Sequence, residues 1–184
     1  MTKPALFLDF DGVINFSASA AAYQAETSAL GYLKTTTLVC GDGAFNVRWS
    51  GELVRELNAM KRRTGFEWLW LSTWREWAVA EIDPALGTRS DGCLPWNTEV
   101  GKATTYGEIA EVRSTRKYLA LLAELRSHPR PFAWVDDDAT GRWRDEDFVG
   151  DLDVPRLILA PRTAFGILRP DLDALTEFME RNKG

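Results

Sequence analysis

Short apolar runs alternate along this chain with stretches in which apolar residues recur at helical spacing. Runs that are apolar nearly throughout are typical of strands covered on both faces of a parallel sheet. The predicted strands are residues 5–10, 66–72, 131–135 and 156–160. The predicted helices are residues 50–65, 73–82, 114–128 and 169–183. This alternation predicts an α/β fold, namely a doubly wound, mainly parallel, Rossmann-like sheet flanked by helices.

Local signals mark several boundaries. Ser50 is a plausible N-cap and Gly65 a terminator for the helix between them. The helix over 73–82 is expected to stop at Asp83-Pro84, because a residue before proline disfavours helical backbone. The segment "LKTTTLVCGDGAFNVRW" places two β-prone runs around "GDG", which predicts a hairpin. We expect a single domain over residues 1–184, with residues 16–50 as a small cap insertion that contains this hairpin.

Composition narrows the class of protein. The 184 residues suffice for one domain with a sizeable core. The net charge of −5 argues against binding nucleic acid through the overall field, but it leaves room for a local basic patch. Cys40 and Cys93 form no CxxC motif, and no segment has the apolar length of a membrane span or a signal peptide. These features predict a cytoplasmic protein without membrane association and without an evident obligate protein partner.

Polar residues follow three of the predicted strands at their carboxyl ends. They are Asp9 and Asp11, then Ser72 and Thr73, then Asp136 and Asp137. Ligands of doubly wound sheets bind beyond this edge, so these side chains are expected to converge. Carboxylates about 4 Å apart repel by about 4 kcal/mol at an effective dielectric of 20, and a cation would offset that repulsion.

Oxygen ligands from a few carboxylates favour Mg²⁺, which commonly shares its coordination shell with a phosphate. A carboxylate left over from the metal could attack phosphorus, and a second could transfer protons. A calcium loop starting at Asp9 is excluded, because Ile14 stands where glycine is needed and Ala20 where glutamate is needed. The alternative is that "DFDG" is only an acidic turn.

Three further side chains are ambiguous from the sequence. Thr73 and Glu76 have capping-box spacing, so Thr73 would cap the next helix and leave Ser72 for phosphate; the opposite assignment stays open. Lys117 is placed in the first turn of its helix, where it is either solvated or directed into the acidic site. Lys102 is the alternative candidate for the lysine of that site. His128 is the one histidine and is expected to cap a helix end, which excludes a Ser-His-Asp mechanism.

The segments "LFLDFDGV", "LWLST" and "WVDD", with a helix-borne lysine before the last of them, resemble the four motifs of the haloacid dehalogenase (HAD) superfamily. The resemblance implies a Mg²⁺-dependent phosphohydrolase or phosphotransferase that forms an aspartyl-phosphate. It implies catalytic roles for Asp9 as nucleophile, Asp11 as general acid and base, Ser72 and Lys117. It implies phosphate binding by Gly12, Ser72, Thr73 and Lys117. It implies metal binding by Asp9, Asp11, Asp136 and Asp137.

A finer resemblance links "LWLSTWREWAVAEIDPALG", "FAWVDDD" and "AFGILRPDLDAL" to HAD domains associated with RNA-repair proteins. It makes a nucleotide or polynucleotide phosphate a candidate substrate, beside a phosphorylated small molecule. A basic rim could come from Arg75, Arg113, Arg116, Arg142 and Arg144. Two rival interpretations are a phospho-receiver signalling domain and a non-catalytic HAD-fold binding module. In receivers the lysine comes last, whereas here Asp136 follows Lys117.

Overall fold

The computed structural model describes residues 2–41, 43–96, 105–139 and 152–184. The strands are β1 (Ala5–Leu8), β2 (Leu33–Cys40), β3 (Gly43–Ser50), β4 (Glu67–Trp70), β5 (Gly92–Cys93), β6 (Phe132–Val135) and β7 (Arg156–Leu159). The helices are α1 (Ala20–Ala25), α2 (Gly51–Thr64), α3 (Asp83–Leu86), α4 (Tyr106–Ser127) and α5 (Arg169–Arg181), and a π-helix (Ala78–Ile82) precedes α3.

The main sheet has five parallel strands in the order β5-β4-β1-β6-β7. Strand β1 lies in the middle, where Leu8 pairs with Trp70 of β4 on one side and with Val135 of β6 on the other. The residues that follow these three strands therefore meet at one edge. The predicted α/β fold with a parallel sheet is confirmed.

Helices cover both faces of this sheet, which explains why its strands read as continuous apolar runs. Leu6 and Leu8 of β1 belong to a core cluster that includes residues of α2 and α5. Phe7 lies on the opposite face, in a cluster with Leu121 and Leu125 of α4. Successive residues of a strand point to opposite faces, so a strand between two helical layers has to be apolar at every position.

The predicted hairpin is confirmed as an antiparallel pair, β2 and β3, with Cys40 opposite Gly43. Leu38 and Val47 of its inner face are buried in the main core, which ties the hairpin to the body of the domain. The predicted helix boundaries of α2 are also confirmed. The Ser50 hydroxyl accepts a hydrogen bond from the Leu53 N–H at 3.1 Å, and Gly65 ends the helix with φ 70°.

The first strand is shorter than predicted, since it ends at Leu8. The helix predicted over 73–82 is also different. Arg75 has a left-handed backbone with φ 51°, so a regular helix cannot start at Thr73 and the predicted capping box is wrong. The helical backbone then continues through Pro84 to Gly87, because proline is tolerated in the first turn of α3.

Helix α4 begins earlier than predicted, at a capping box formed by Thr105 and Glu108. Lys117 therefore lies in the middle of a helix of 22 residues and not in its first turn, which corrects the sequence-based placement. His128 is the C-cap of α4, as predicted, and its N–H donates to the Glu124 carbonyl at 2.8 Å. Within the described residues, α4 and the shorter helices are too polar or too short to cross a membrane.

Candidate active site

The acids that follow β1 and β6 converge as expected from neighbouring parallel strands. The Asp9 N–H donates to the Val135 carbonyl at 3.0 Å, which places the Asp9 side chain beside that of Asp136. Both carboxylates are buried, at 5% and 0% exposure. One Asp9 oxygen accepts a hydrogen bond from the Phe10 N–H at 2.7 Å, so the carboxylate is held by its own turn.

Lys117 enters this cluster from α4. Its Nζ donates to Asp9 Oδ2 and, at 2.9 Å, to Asp136 Oδ2. Burial on its own would lower the pKa of Lys117, but the carboxylates of Asp136 and Asp9 outweigh burial and raise it. Lys117 is therefore a buried cation that bridges two acids.

One lysine does not neutralise all the carboxylates at this edge. Burial raises the pKa of Asp9 to about 7; Lys117 opposes this rise and Asp136 adds to it. Burial also raises the pKa of Asp137 to about 6, and the neighbouring Asp136 and Asp138 contribute. The cluster thus carries more negative charge than the protein alone stabilises, which is the electrostatic condition for binding a cation.

The geometry fits a hard metal ion. Asp9, Asp136 and Asp137 each present a carboxylate oxygen, and these oxygens lie within 4.8 Å of one another. Oxygen-only donors of this kind suit Mg²⁺. The Asp11 side chain, also predicted to bind metal, is not among these carboxylates and makes other contacts.

Asp11 is exposed, and two donors fix the orientation of its carboxylate. Asn15 Nδ2 donates to Oδ1 at 2.7 Å, and the indole Nε1 of Trp74 donates to Oδ2 at 2.8 Å. The Arg48 N–H donates to the Asn15 side-chain oxygen at 2.9 Å, which determines the orientation of that amide. Both groups can only donate to Asp11, so neither accepts a proton that Asp11 carries.

Gly12 has a left-handed backbone with φ +73°, and the space beside its Cα is filled by Asp137. A Cβ at this position would lie 2.0 Å from Asp137 Oδ2. The Gly12 N–H donates to the Asn15 carbonyl at 2.7 Å, so this N–H closes the turn. Glycine is needed here both for the backbone conformation and for the close approach of a carboxylate.

Ser72 and Thr73 have different surroundings. The Ser72 side chain is buried and hydrogen-bonds to Asp9, whereas Thr73 is exposed on the wall of a cavity of about 250 Å³ in front of Asp9. The cavity lining comprises Asp9, Asp11, Gly12, Thr73, Ile109, Arg113, Lys117, Asp137, Asp138 and Thr163. Sequence reasoning missed Thr163, a polar residue of the loop after β7 that hydrogen-bonds to Asp137.

Two larger cavities also reach Asp11. A polar cleft of about 810 Å³ is lined by Thr35, Thr36, Thr37 and Arg48 of the hairpin, among others. A second cavity, of about 540 Å³ and called here the aromatic cavity, is lined by Asp11, Asn15, Cys40, Ala44, Phe45, Asn46, Thr73, Trp74 and Trp77. Asp11 therefore lies where three cavities meet.

Only part of the predicted basic rim can be assigned. Arg113 lies one helical turn before Lys117 and lines the cavity at Asp9. Arg75 is exposed and pairs with Glu76 at 3.5 Å. Arg142 and Arg144, like the competing lysine Lys102, lie outside the described residues.

The family comparison agrees with this geometry. The family model described as "HAD domain in Swiss Army Knife RNA repair proteins" matches residues 5–154, a range that includes Asp9, Lys117 and Asp136. No curated protein and no solved structure matches this chain. Because the match spans well over half of the sequence, the chain belongs to this family of HAD domains found in RNA repair proteins, and thereby to the HAD superfamily of hydrolases.

Proposed function

We propose that this HAD hydrolase is a Mg²⁺-dependent phosphohydrolase that cleaves phosphate monoesters through an aspartyl-phosphate on Asp9. The observation that carries the proposal is the position of Asp9. Its carboxylate is buried between Lys117 and the acids after β6, and it borders a cavity of about 250 Å³ that has room for a phosphoryl group. Membership of the HAD superfamily supports the same chemistry.

In the first step an Asp9 oxygen attacks phosphorus, and the bond from phosphorus to the leaving-group oxygen breaks. Asp11 gives its proton to that oxygen, so the product leaves as an alcohol. In the second step a water attacks the aspartyl-phosphate, and Asp11 takes a proton from this water. The acyl-phosphate bond breaks, inorganic phosphate leaves, and both carboxylates return to their starting states.

The fixed orientation of Asp11 supports its role in proton transfer. Asn15 donates a hydrogen bond to one oxygen of the Asp11 carboxylate, and Trp74 donates one to the other oxygen. A proton carried by Asp11 would therefore lie on the side of the carboxylate that faces away from both donors.

Mg²⁺ would be held by Asp9, Asp136 and Asp137, with the backbone carbonyl of Asp11 as a further ligand. When bound, it supplies positive charge that offsets the carboxylates and the transferring phosphoryl group. Lys117 would stabilise Asp9 and its phosphorylated form. Thr73 and Gly12, which both line the cavity, would border the phosphoryl oxygens, while Ser72 would hold the Asp9 carboxylate.

The substrate side of the proposal rests on the hairpin and on the family. We propose that residues 16–50 act as a small cap within a single domain, which leaves the site open to large substrates. Together with the RNA-repair context of the family, this favours a phosphorylated nucleotide or polynucleotide end over a small sugar phosphate.

The test measures phosphate release from an aryl phosphate, with and without Mg²⁺, for the wild type, Asp9→Asn and a control. Asp173→Asn removes an exposed carboxylate on α5 and serves as that control. We expect Mg²⁺-dependent turnover by the wild type and Asp173→Asn and none by Asp9→Asn. Stable phosphorylation of Asp9 by a small phosphodonor without turnover would instead support the phospho-receiver alternative.

A further inference from the structure

The aromatic cavity beside Asp11 has an unusual lining for a protein surface. Tyr32, Phe45 and Trp77 are the aromatic side chains among the most exposed large apolar residues of the described chain. Two of these three line this cavity, Phe45 at 45% and Trp77 at 40% exposure. Exposed apolar surface concentrated in a concave site is typical of a ligand-binding surface.

The walls of the aromatic cavity are held in place. Trp74 packs edge-to-face against Phe10 of the core, with ring centroids 5.5 Å apart, and against Phe45 at 5.0 Å. Its indole N–H is bound by Asp11. Among the described residues Trp77 stacks on no other ring. The cavity thus combines fixed aromatic walls with an exposed indole, which is the arrangement of a stacking platform for a flat ligand.

Polar groups line the same cavity. Asn46 and Thr73 border it, and the Asn46 side-chain oxygen accepts a hydrogen bond from the Thr37 hydroxyl at 2.9 Å. Because the Asn46 oxygen accepts from Thr37, the two N–H donors of the Asn46 amide can bind a ligand in the cavity. A planar ligand with acceptors on its edge would satisfy both the rings and these donors, and nucleobases have this chemistry.

The position of the aromatic cavity links it to the reaction. Asp11 and Thr73 line both this cavity and the cavity in front of Asp9, so the two cavities adjoin and one ligand can extend across both. Asp11 also borders the polar cleft, whose lining includes Thr35 and Thr36 of β2 beside Thr37, the donor to Asn46. Hydroxyl groups of this kind bind the phosphates of a nucleic-acid backbone.

We propose that Phe45, Trp74 and Trp77 bind the terminal nucleobase of a phosphorylated polynucleotide end, and that the polar cleft accepts the adjoining nucleotides. The proposal rests on the phosphohydrolase function proposed above and names its substrate class. A free mononucleotide would use the aromatic cavity and leave the cleft empty, which favours a chain end as the occupant.

The first experiment compares kcat/KM for two phosphorylated trinucleotides that differ only in the terminal nucleoside, which is normal in one and abasic in the other. Both 3′- and 5′-phosphorylated pairs are used. We expect the ratio of kcat/KM for the normal substrate to kcat/KM for the abasic one to fall at least about fivefold in Trp77→Ala and Phe45→Ala. The reason is that these variants remove the rings on which the terminal base stacks. Trp77→Phe should retain most of the ratio. Tyr32→Ala, which removes an exposed aromatic ring outside the cavity, should leave it unchanged.

A wild-type ratio near one, or a ratio that Trp77→Ala does not change, would overturn the assignment of the aromatic cavity. A mononucleotide that is cleaved as efficiently as the trinucleotide would overturn the assignment to a chain end. In both cases phosphate is still released, so the proposed phosphohydrolase function would stand.

The second experiment needs no catalysis. Asp9→Asn protein is titrated into a fluorescein-labelled trinucleotide that carries no terminal phosphate, and anisotropy reports binding. We expect Trp77→Ala in this background to weaken binding at least about fivefold, and Tyr32→Ala to leave it unchanged. Binding that depends on Trp77, together with no phosphate release by the wild type, would support the base site and reject the phosphohydrolase. Binding that is unaffected by Trp77→Ala would reject the base site.

Discussion

Asp137 occupies the position that a side chain on Gly12 would need. A Cβ on Gly12 would lie 2.0 Å from Asp137 Oδ2. The turn after β1 and the acid after β6 therefore pack against each other as one unit. The loop after β7 secures this unit, because Thr163 hydrogen-bonds to Asp137. This part of the site is therefore assembled from segments that follow three adjacent strands, β1, β6 and β7.

Gly12→Ala is expected to displace the Asp137 carboxylate and to lower the proposed phosphatase activity at least about tenfold, because Asp137 is one of the proposed metal ligands. The added methyl group also lowers the free energy of unfolding by about 1–2 kcal/mol, because a residue with a Cβ is strained in the left-handed backbone. Gly65→Ala is the matched control, since Gly65 has φ +70° and nothing lies within 4 Å of its added Cβ. Activity and urea unfolding are measured for both. Equal activity in the two variants would contradict the role assigned to this contact.

Lys117→Met is expected to lower the free energy of unfolding by about 3 kcal/mol in EDTA at pH 7. The change leaves Asp9 and Asp136 buried without their cation, and removing one partner of a buried ion pair is strongly destabilising. Mg²⁺ should restore part of the loss because it supplies positive charge to the same carboxylates.

The control for Lys117 is Lys61→Met. Lys61 pairs with Asp91 near the surface, where the side chains are 19% and 42% exposed. Exposed pairs contribute about 0–1 kcal/mol, so this variant should lose no more than that. Unfolding by urea, followed by tryptophan fluorescence with and without Mg²⁺, measures both variants. A loss in Lys117→Met no larger than in Lys61→Met would show that the buried cluster does not depend on its lysine.

The stability of the metal-free protein should depend on pH through Asp9. Burial raises the pKa of Asp9 to about 7 in the folded protein, above the ordinary value of 3.8 that applies to the unfolded chain. Between these values the folded state binds more protons, so the contribution of Asp9 to the free energy of unfolding falls as pH rises.

Asp9→Asn isolates this contribution. The free energy of unfolding of the wild type minus that of Asp9→Asn, measured by urea in EDTA, is expected to decrease from about pH 4 to about pH 7 and then to level off. Asp173→Asn gives the reference curve for an exposed carboxylate. A difference that rises with pH would mean that Lys117 governs the ionisation of Asp9 more strongly than burial does.

The sequence predicted the part of the site that depends on strand order. Asp9, Ser72 and Asp136 each follow an apolar run, and parallel strands end at a common edge, so their convergence followed from the pattern alone. The hairpin and the cap at Ser50 were also predictable, because turn and capping residues act locally.

Contacts between distant segments could not be predicted in this way. Thr163 reaches Asp137 from the loop after β7, and no local pattern marks one threonine among many. Thr73 was misassigned as a helix cap because the left-handed backbone of Arg75 interrupts the helix, which the Thr73–Glu76 spacing does not indicate. Lys117 was placed in a first turn because the start of α4 at Thr105 lies in a stretch without a readable pattern.

The contact between Trp74 and Asp11 also joins segments that are distant in the sequence, so it was not predicted. The Trp74 indole N–H donates to Asp11 Oδ2 at 2.8 Å, while its ring packs against Phe10 and Phe45. Trp74→Phe keeps an aromatic ring for packing and removes the N–H, so it tests the hydrogen bond. Without it, the Asp11 carboxylate retains the Asn15 donor alone and loses its fixed orientation towards the leaving group.

We expect Trp74→Phe to lower kcat for an alkyl phosphate about tenfold and for an aryl phosphate much less, because only the alkoxide needs a proton from Asp11 as it leaves. Asp11→Asn should show the same dependence on the leaving group more strongly, and rates for both substrates are measured for each variant. If Trp74 acted only by packing, Trp74→Phe would lower the two rates by the same factor. A shared dependence on the leaving group therefore identifies Trp74 as a positioning residue for the proton donor.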